Sequence, residues 1–576
     1  MRDAEQLLAD VDPQQREVVT ALRGPVCVRA GAGTGKTRAI TYRIAYGIRT
    51  GTWKPQHISA LTFTARAAGE MRSRLRDLGA GTVSAQTFHA AALRQLRYFW
   101  PEAVGGKLPQ LVDHKAGIVA EAAGRLGIAA DRVTVRDLAA EIEWAKVSLI
   151  DSESYAQAAA QFDRPHVADS PQKMAALIEA YEDVKTQRNQ LDFEDVLLLM
   201  IGIMIDQPQI ADQIRAQYRV FVVDEYQDVS PLQHRLLQLW LGGRSELCVV
   251  GDVAQTIYSF AGANPHYLAQ FTQEFKGATE IELVRDYRST PQIVQGANRV
   301  IAQEKMPGTV QLVSQKESGP EILIHEYADD EDEAADIARR ISAKLQQEHD
   351  STGDSSADIA ILYRTNAQSA QFEAALTSAH IPYVVRGSER FFSRREVQEA
   401  MVAFRAALRD GVAGSLAEIV SQVLHSIGFR PEAPAVGTAA RERWQALETF
   451  LQMANDMQAK RPGASLRDFV AELEERIVMK NPPAAHGVTL SSLHAAKGLE
   501  WATVFLAGMS DGLMPITRAD DPAALSEERR LLYVGMTRAK DELIISYARG
   551  NGSYGQRKLS RFLRAFHTAA RTRPRS

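Results

Sequence analysis

Cysteine is almost absent: Cys27 and Cys248 are the only two in 576 residues. A disulfide scaffold and a cysteine-based zinc site are therefore excluded, and both residues read as small core side chains in buried strands. That usage fits a reducing compartment, so the expected location is cytoplasmic. No apolar run approaches the roughly 18 residues needed to cross a bilayer, and no membrane contact is expected. The opening Met-Arg-Asp-Ala-Glu-Gln is acidic and polar, unlike a secretory leader. Charge of one sign is also lacking. With 67 Lys/Arg against 71 Asp/Glu the net charge is −4, so no overall basic field announces a polyanion partner. Two local biases stand out. After Glu542 the last 34 residues hold eight Lys/Arg and no acid, which is either a solvated basic tail, a phosphate contact or a lead into a further domain. The run Asp329–Glu333 reads as the acidic first turn of a helix.

What is present begins at residue 25. Pro-Val-Cys-Val-Arg-Ala-Gly-Ala-Gly-Thr-Gly-Lys-Thr reads as a buried strand entering a glycine-rich loop. Gly31, Gly33 and Gly35 permit backbone conformations in which successive N–H groups point at one anion. Lys36 is placed to reach β/γ-phosphates and the Thr37 hydroxyl to ligate Mg²⁺. Helical spacing of Ile40, Ile44 and Ile48 sets a helix N-terminus against the phosphates. The residues 30–38, Ala30, Gly31, Ala32, Gly33, Thr34, Gly35, Lys36, Thr37 and Arg38, are the candidate phosphate cradle. The strict pattern wants Gly where Ala30 stands.

Short apolar runs alternate with helical stretches: Ile58–Thr64, Tyr218–Asp224, Leu247–Gly251, Ile281–Val284, Ile359–Tyr363, Val488–Leu493, Val504–Ala507 and Leu543–Ser546. This alternation predicts an α/β protein with parallel sheets. Two long helical blocks, about 91–205 and about 399–486, interrupt the strands, so two sheet cores each carry an outgrowth.

Carboxylates mark the strand tips. Phe221-Val222-Val223 runs into Asp224-Glu225. Beside a phosphate loop, the first acid can hold Mg²⁺ and the second can take a proton from an attacking water. A third strand ends in Gly251-Asp252 and is followed by Gln255, a candidate γ-phosphate sensor. Tyr258 and Phe260 come next, as core residues or as stacking platforms for bases.

Val222-Val223-Asp224-Glu225-Tyr226-Gln227-Asp228 and Gly251-Asp252-Val253-Ala254-Gln255-Thr256-Ile257-Tyr258-Ser259-Phe260 resemble motifs II and III of superfamily 1A DNA helicases of the UvrD/Rep/PcrA family. The resemblance extends over nearly the whole chain. Val11–Arg16 is similar to the Q motif, Thr62-Phe63-Thr64 to motif Ia, and Thr87-Phe88-His89 to motif Ib. Leu191-Asp192-Phe193-Glu194-Asp195 is similar to the acidic segment before motif II, and Leu283–Thr290 to motif IV. Ile361–Asn366 and Phe391–Glu396 resemble the segments after it, Ser492–Glu500 resembles motif V and Glu527–Lys540 motif VI. Ala30 in place of Gly is itself part of the family's pattern.

The resemblance implies two RecA-like P-loop lobes with ATP bound between them. Lobe 1A would comprise 1–90 and 206–278, with a helical insertion 1B at 91–205. Lobe 2A would comprise 279–398 and 487–566, with a reduced insertion 2B at 399–486, and 567–576 would form a basic tail. The first lobe would supply Lys36, Thr37, Asp224, Glu225 and Gln255, and the second Arg288 and Arg538 as arginine fingers. Gln15 would read the adenine edge, Tyr287 would stack on the base and Glu500 would contact the ribose. Phe63, Phe88, His89, Phe193, Tyr258, Phe260, Arg364 and His494 would meet single-stranded DNA. ATP and Mg²⁺ are the implied cofactors. The implied activity is an ATP-dependent DNA helicase or translocase, moving 3′→5′ on single strands and opening duplex in repair or replication. It would act at single-strand/duplex junctions as a monomer, with a repair or replication protein as a possible partner. Placing arginines on a separate lobe makes hydrolysis depend on lobe movement, which turns chemistry into motion.

Three departures from the family pattern are legible. Phe260-Ala261-Gly262 lacks the usual Arg of motif III, and Asp286 stands where Asn is usual before Tyr287-Arg288. The 399–486 block is much shorter than the usual 2B and lacks its Gly-Ile-Gly hairpin. The chain is therefore most similar to a short-2B actinobacterial UvrD paralogue without its C-terminal extension. The alternative activity is a single-strand-dependent ATPase that displaces proteins and needs a partner or a C-terminal domain to unwind.

Overall fold

The computed structural model describes residues 3–566 apart from short stretches, chiefly 260–261, 353–357, 387–394, 411–413, 431–443, 479–486 and 551–555. The chain divides into two compact units, Met1–Tyr287 with Glu304–Val313, and Arg288–Gln303 with Ser314–Ser576.

The first unit is built on six strands: β1 (Val26–Ala30), β2 (Ile58–Thr62), β3 (Ser84–Thr87), β4 (Val220–Val223), β5 (Leu247–Gly251) and β6 (Thr279–Leu283). They lie in the order β3-β2-β4-β5-β1-β6, and every pairing is parallel. β2, β4 and β5 are buried at every residue, as expected of strands covered on both faces. Alternate side chains feed two cores. Cys27, Leu61, Phe221, Val223 and Val249 enter one, whereas Val26, Val28, Ala60, Val222, Cys248 and Val250 enter the other. Both cysteines are buried and free, as the sequence suggests.

One sequence expectation is corrected by the pairing of β6. The limits implied by the family resemblance place 279–283 in lobe 2A. That segment pairs along its whole length with β1, from Val26 opposite Thr279 to Ala30 opposite Leu283, so the first unit continues to Tyr287.

The helices Phe88–Ala103 and Asp195–Asp206 border the first insertion, yet Leu96, Phe99, Trp100, Val196 and Met200 pack in the sheet core. The outgrowth proper has its own core, with Ile118, Leu138, Ile142, Tyr155, Leu177 and Tyr181 drawn from four helices between Ala116 and Gln187. A short parallel ribbon, Gln110–Leu111 with Gln190–Leu191, carries the chain out and back.

The second unit repeats the plan with β7 (Leu323–Tyr327), β8 (Ile359–Tyr363), β9 (Tyr383–Arg386), β10 (Val488–Ser492), β11 (Trp501–Leu506) and β12 (Ala539–Ala548). The order is β7-β12-β11-β8-β10-β9, again all parallel. The acidic run does open a helix, Asp330–Thr352. Its Glu333 is not solvated, however. It is fully buried and accepts from Gly508 N at 2.8 Å and from Ser546 Oγ. The second outgrowth packs Phe404, Val420, Leu447, Phe450 and Phe469 around one small core. No helix among the described residues is long and apolar enough to cross a membrane.

Candidate nucleotide and nucleic-acid sites

β1 ends at the switch in strand order, where the loops leaving β1, β4 and β5 come together. Gly33 and Gly35 have φ of +70° and +77°, and Gly35 caps the Lys36–Arg49 helix in the left-handed region. A side chain would be strained at both sites. A Cβ on Gly33 would lie 2.5 Å from Asp286 Oδ2, and one on Gly35 2.7 Å from Gln15 Nε2. Thr34 Oγ1 donates to Gly31 O at 2.9 Å, and Lys36 Nζ to the same carbonyl at 3.2 Å. The loop is thus held by its own side chains, with the lysine folded over it. Ala30 and Ala32 are buried.

Gln15 is buried beside the loop, and its Nε2 donates to Thr34 O at 3.0 Å. Tyr287 stands on the same side: its N donates to Gly33 O at 3.0 Å and its hydroxyl to Asp12 Oδ2 at 2.8 Å. Its ring is 45% exposed, which leaves a face for a planar group. Arg38 turns away, with Nη2 on Asp10 O at 2.7 Å and its guanidinium 4.7 Å above the Tyr42 ring.

Thr37 Oγ1 donates to Asp224 Oδ2 at 2.9 Å. Burial raises the Asp224 carboxyl to about 7 and the neighbouring Glu225 charge adds to the rise, while Lys36 and the Thr37 hydrogen bond oppose it. A hydroxyl and a buried, destabilised carboxylate side by side suit a hard divalent cation, which would supply the missing positive charge. Glu225 has φ +54°, a conformation that strains a residue with a Cβ and marks functional positions. Gln255 Nε2 donates to Asp252 Oδ2 at 2.8 Å.

In the second unit Arg288, Glu500 and Arg538 gather around Thr537. Arg288 Nε pairs with Glu500 Oε2 at 2.6 Å, and its Nη1 donates to Thr537 O at 3.2 Å. Arg538 is buried, donating to Val534 O, Leu499 O and Thr537 Oγ1 at 2.9–3.1 Å.

The candidate nucleic-acid residues fall into three groups. In the first unit, Phe63 stacks on Tyr258 at 5.8 Å and His89 on Phe193 at 3.8 Å. Phe63, His89 and Tyr258 lie just past the C-terminal ends of β2, β3 and β5, and Phe193 is 48% exposed. Burial lowers His89 to about 3, so it is a neutral ring at physiological pH. In the second unit, Arg364 and His494 follow the adjacent strands β8 and β10. Arg364 makes a two-pronged pair with Glu528, Nη2 to Oε1 at 2.7 Å and Nε to Oε2 at 3.1 Å. Burial, then the charges of Arg364 and Lys497, lower His494 to about 4. The third group is a correction. Phe88 is 1% exposed and stacks on Trp240 within the sheet core. It cannot offer a face to a base. Phe260 lies outside the described residues.

Sequence reasoning missed a charged cluster at the root of the first outgrowth. Glu182, Asp192 and Asp195 converge closely enough to hold a metal ion. Two ammonium groups already sit among them: Lys146 Nζ lies 2.7 Å from Asp192 Oδ2, and Lys185 Nζ 2.8 Å from Glu182 Oε2. The cluster fastens the turn that carries Phe193. Its signal was two lysines at otherwise apolar helix positions, seen only once the helices Arg132–Val147 and Pro171–Gln187 are packed together.

Family models describe the same chain. The UvrD/REP helicase N-terminal domain matches residues 11–276, and the UvrD-like helicase C-terminal domain matches 281–433 and 430–550. The chain belongs to the UvrD/Rep helicase family. Individual helicases agree. It is 47% identical over 588 aligned positions to the ATP-dependent DNA helicase UvrD2 of Mycobacterium tuberculosis, covering 99% of this chain and 83% of that protein. The UvrD1 helicase of the same organism is 32% identical, covering 97% and 85%. The PcrA helicase of Leuconostoc citreum is 28% identical, covering 96% and 84%. This chain is therefore an enzyme of the UvrD/PcrA-type helicase class, and its two parallel-sheet units are the RecA-like lobes of that family.

Proposed function

We propose that the protein is a DNA-dependent ATPase motor that moves 3′→5′ along single-stranded DNA and opens duplex ahead of it, acting in DNA repair or replication in the cytoplasm. The observation that carries this reading is the Thr37–Asp224 contact at the mouth of the glycine loop, in the same unit as the Phe63–Tyr258 and His89–Phe193 stacks. A phosphate site and a row of base-sized aromatic faces then share one sheet edge.

In this reading the backbone of Gly31–Gly35 and Lys36 bind the ATP phosphates, and Tyr287 and Gln15 hold the base. Thr37 and Asp224 hold Mg²⁺, which neutralises phosphate charge when bound. Glu225 accepts a proton from the attacking water, and Gln255 contacts the γ-phosphate. Arg288 and Arg538 are the arginine fingers, with Glu500 on the ribose. An arginine in this role is worth about 10³–10⁵ in rate. Phe63, His89, Phe193 and Tyr258 stack on bases without reading sequence, each worth about 1–3 kcal/mol, and Arg364 and His494 extend the track. The subdomain limits expected from sequence carry over, with the first lobe prolonged to Tyr287.

The small core of the second outgrowth favours one further reading, a translocase that strips proteins from DNA and unwinds only with a partner. One assay separates the two: strand displacement on duplexes with a 3′ or a 5′ single-stranded tail, with ATP. Opening of the 3′-tailed substrate alone supports the helicase. Movement on single strands without opening of either duplex supports the translocase. Preference for the 5′ tail refutes the polarity.

A further inference from the structure

Gln227 follows the Asp224-Glu225 pair by two residues, in the single turn Tyr226–Asp228, and is fully buried. Both ends of its amide are engaged. The Nε2 group donates to Glu225 Oε2 at 2.5 Å and more weakly to Asp228 Oδ2 at 3.3 Å. The Oε1 atom accepts from Asp252 N at 3.0 Å. This orientation is obligatory, because only the amide oxygen can meet a backbone N–H and only the NH₂ a carboxylate.

The chain of bonds continues. The Asp252 carboxylate accepts from Ala254 N at 3.0 Å and from Gln255 Nε2 at 2.8 Å. Gln227 and Asp252 together thus link the carboxylate at the tip of β4 to the glutamine after β5. The neighbouring strand makes room for it: a Cβ on Gly251 would lie 2.4 Å from Gln227 Oε1. Glu225 itself sits at φ +54°. Such a conformation persists where surroundings over-determine it. Here the Asp228 N to Glu225 O bond at 3.0 Å and the Gln227 amide do so.

We propose that Gln227 is the positioning residue of the hydrolytic step, aiming the Glu225 carboxylate and locking it in one hydrogen-bonded chain with Gln255. The claim rests on the reading of Glu225 as the proton acceptor. Gln227 touches neither the nucleotide loop nor Thr37 in the described contacts, so its loss acts on turnover and spares nucleotide affinity. A general base contributes about 10²–10⁴ in rate. A misaimed base forfeits part of that, about 10- to 100-fold.

The test is steady-state ATP hydrolysis with saturating oligo-dT, together with binding of a fluorescent ADP analogue, on Gln227→Met, Glu225→Gln and the double variant. Gln227→Met is expected to lower kcat about 10- to 100-fold with ADP affinity and ATP KM within about twofold. In the Glu225→Gln background it should cost nothing further, because its effect passes through the carboxylate. Gly251→Ala keeps every Gln227 atom but crowds its oxygen, and should give the same kcat-only signature if Gln227→Met does not fold. Near-normal turnover in Gln227→Met, equal losses of turnover and ADP binding, or full additivity with Glu225→Gln would each overturn the proposal. Normal turnover in Glu225→Gln is a separate failure, of the base assignment itself.

Discussion

Replacing Lys146 by Met removes one of two ammonium groups from the most heavily buried charge cluster of the first outgrowth. The Lys146 and Lys185 side chains are 6% and 3% exposed, facing Asp192 at 1% and Asp195 at 10%. Glu182 is half-exposed, so solvent screens its share and the balance falls on the two aspartates. With both lysines present the four buried groups are neutral in sum. Without Lys146 they carry one uncompensated negative charge. Breaking a buried pair from one side costs about 3–5 kcal/mol, against a typical total of about 5–15 kcal/mol. With a urea dependence of about 2 kcal/mol/M, the outgrowth's unfolding midpoint should fall by about 2 M. Hydrogen exchange in urea, read on the helices Arg132–Val147 and Pro171–Gln187, assigns the loss to this block. A change below about 1 kcal/mol would mean that the cluster is no better than a surface ion pair, and would refute the argument.

The same cluster sets a pH window. Burial would raise the Asp192 carboxyl, but Lys146 and Lys185 outweigh it and hold the group well below the usual range. Its contribution is therefore complete above the unfolded value of about 3.9 and is lost as acid approaches the folded one. Lys146 shifts oppositely: burial would lower it, but Asp192 and Asp195 raise it further. Its contribution is complete below about 10.4 and is lost only as alkali approaches the higher folded value. The contribution of these two groups should be flat between about pH 5 and 10, checked by comparing urea melts of the wild type and Lys146→Met across that range.

The two aromatic assignments separate cleanly. Phe88→Ala should cost about 3–5 kcal/mol of stability as a core truncation, whereas Phe193→Ala should leave urea stability nearly unchanged and weaken oligo-dT binding by about 1–3 kcal/mol in fluorescence anisotropy. Gly33→Ala, which drives a Cβ into Asp286 at a left-handed position, should weaken binding of a fluorescent ADP analogue at least tenfold. Single-strand affinity should fall steeply between 50 and 200 mM salt, with a log–log slope of about −0.7 for each phosphate contacted; a flat response would contradict backbone contact.

Much of this was legible in the sequence because the decisive groups sit at strand tips. The glycine loop, Lys36 and the Asp224-Glu225 pair follow short apolar strands, and parallel sheets gather such tips on one edge. Legibility failed where motif adjacency and packing disagree. Phe88 lies in a motif beside His89, but the helix that starts there buries Phe88 in the core and leaves His89 half-buried against Phe193. The segment 279–283 precedes motif IV in the chain, yet its partner is a strand some 250 residues earlier. Asp192, Asp195 and Gln227 stand in visible motifs, but neither the Lys146–Asp192 cluster nor the Gln227 bridge is legible in the sequence. Lys146 and Asp192 are far apart in sequence, as are Gln227 and Asp252, and a polar side chain's burial shows only when the layers close over it.

The central claim is that a nucleotide held by Lys36 drives a motor engaged with single-stranded DNA. Steady-state ATP hydrolysis by the wild type and Lys36→Ala, each with and without oligo-dT, tests it most directly. The account predicts manyfold stimulation of the wild type by oligo-dT, and no turnover above background in a folded Lys36→Ala. Equal wild-type rates with and without DNA, or hydrolysis by Lys36→Ala close to wild type, would contradict it.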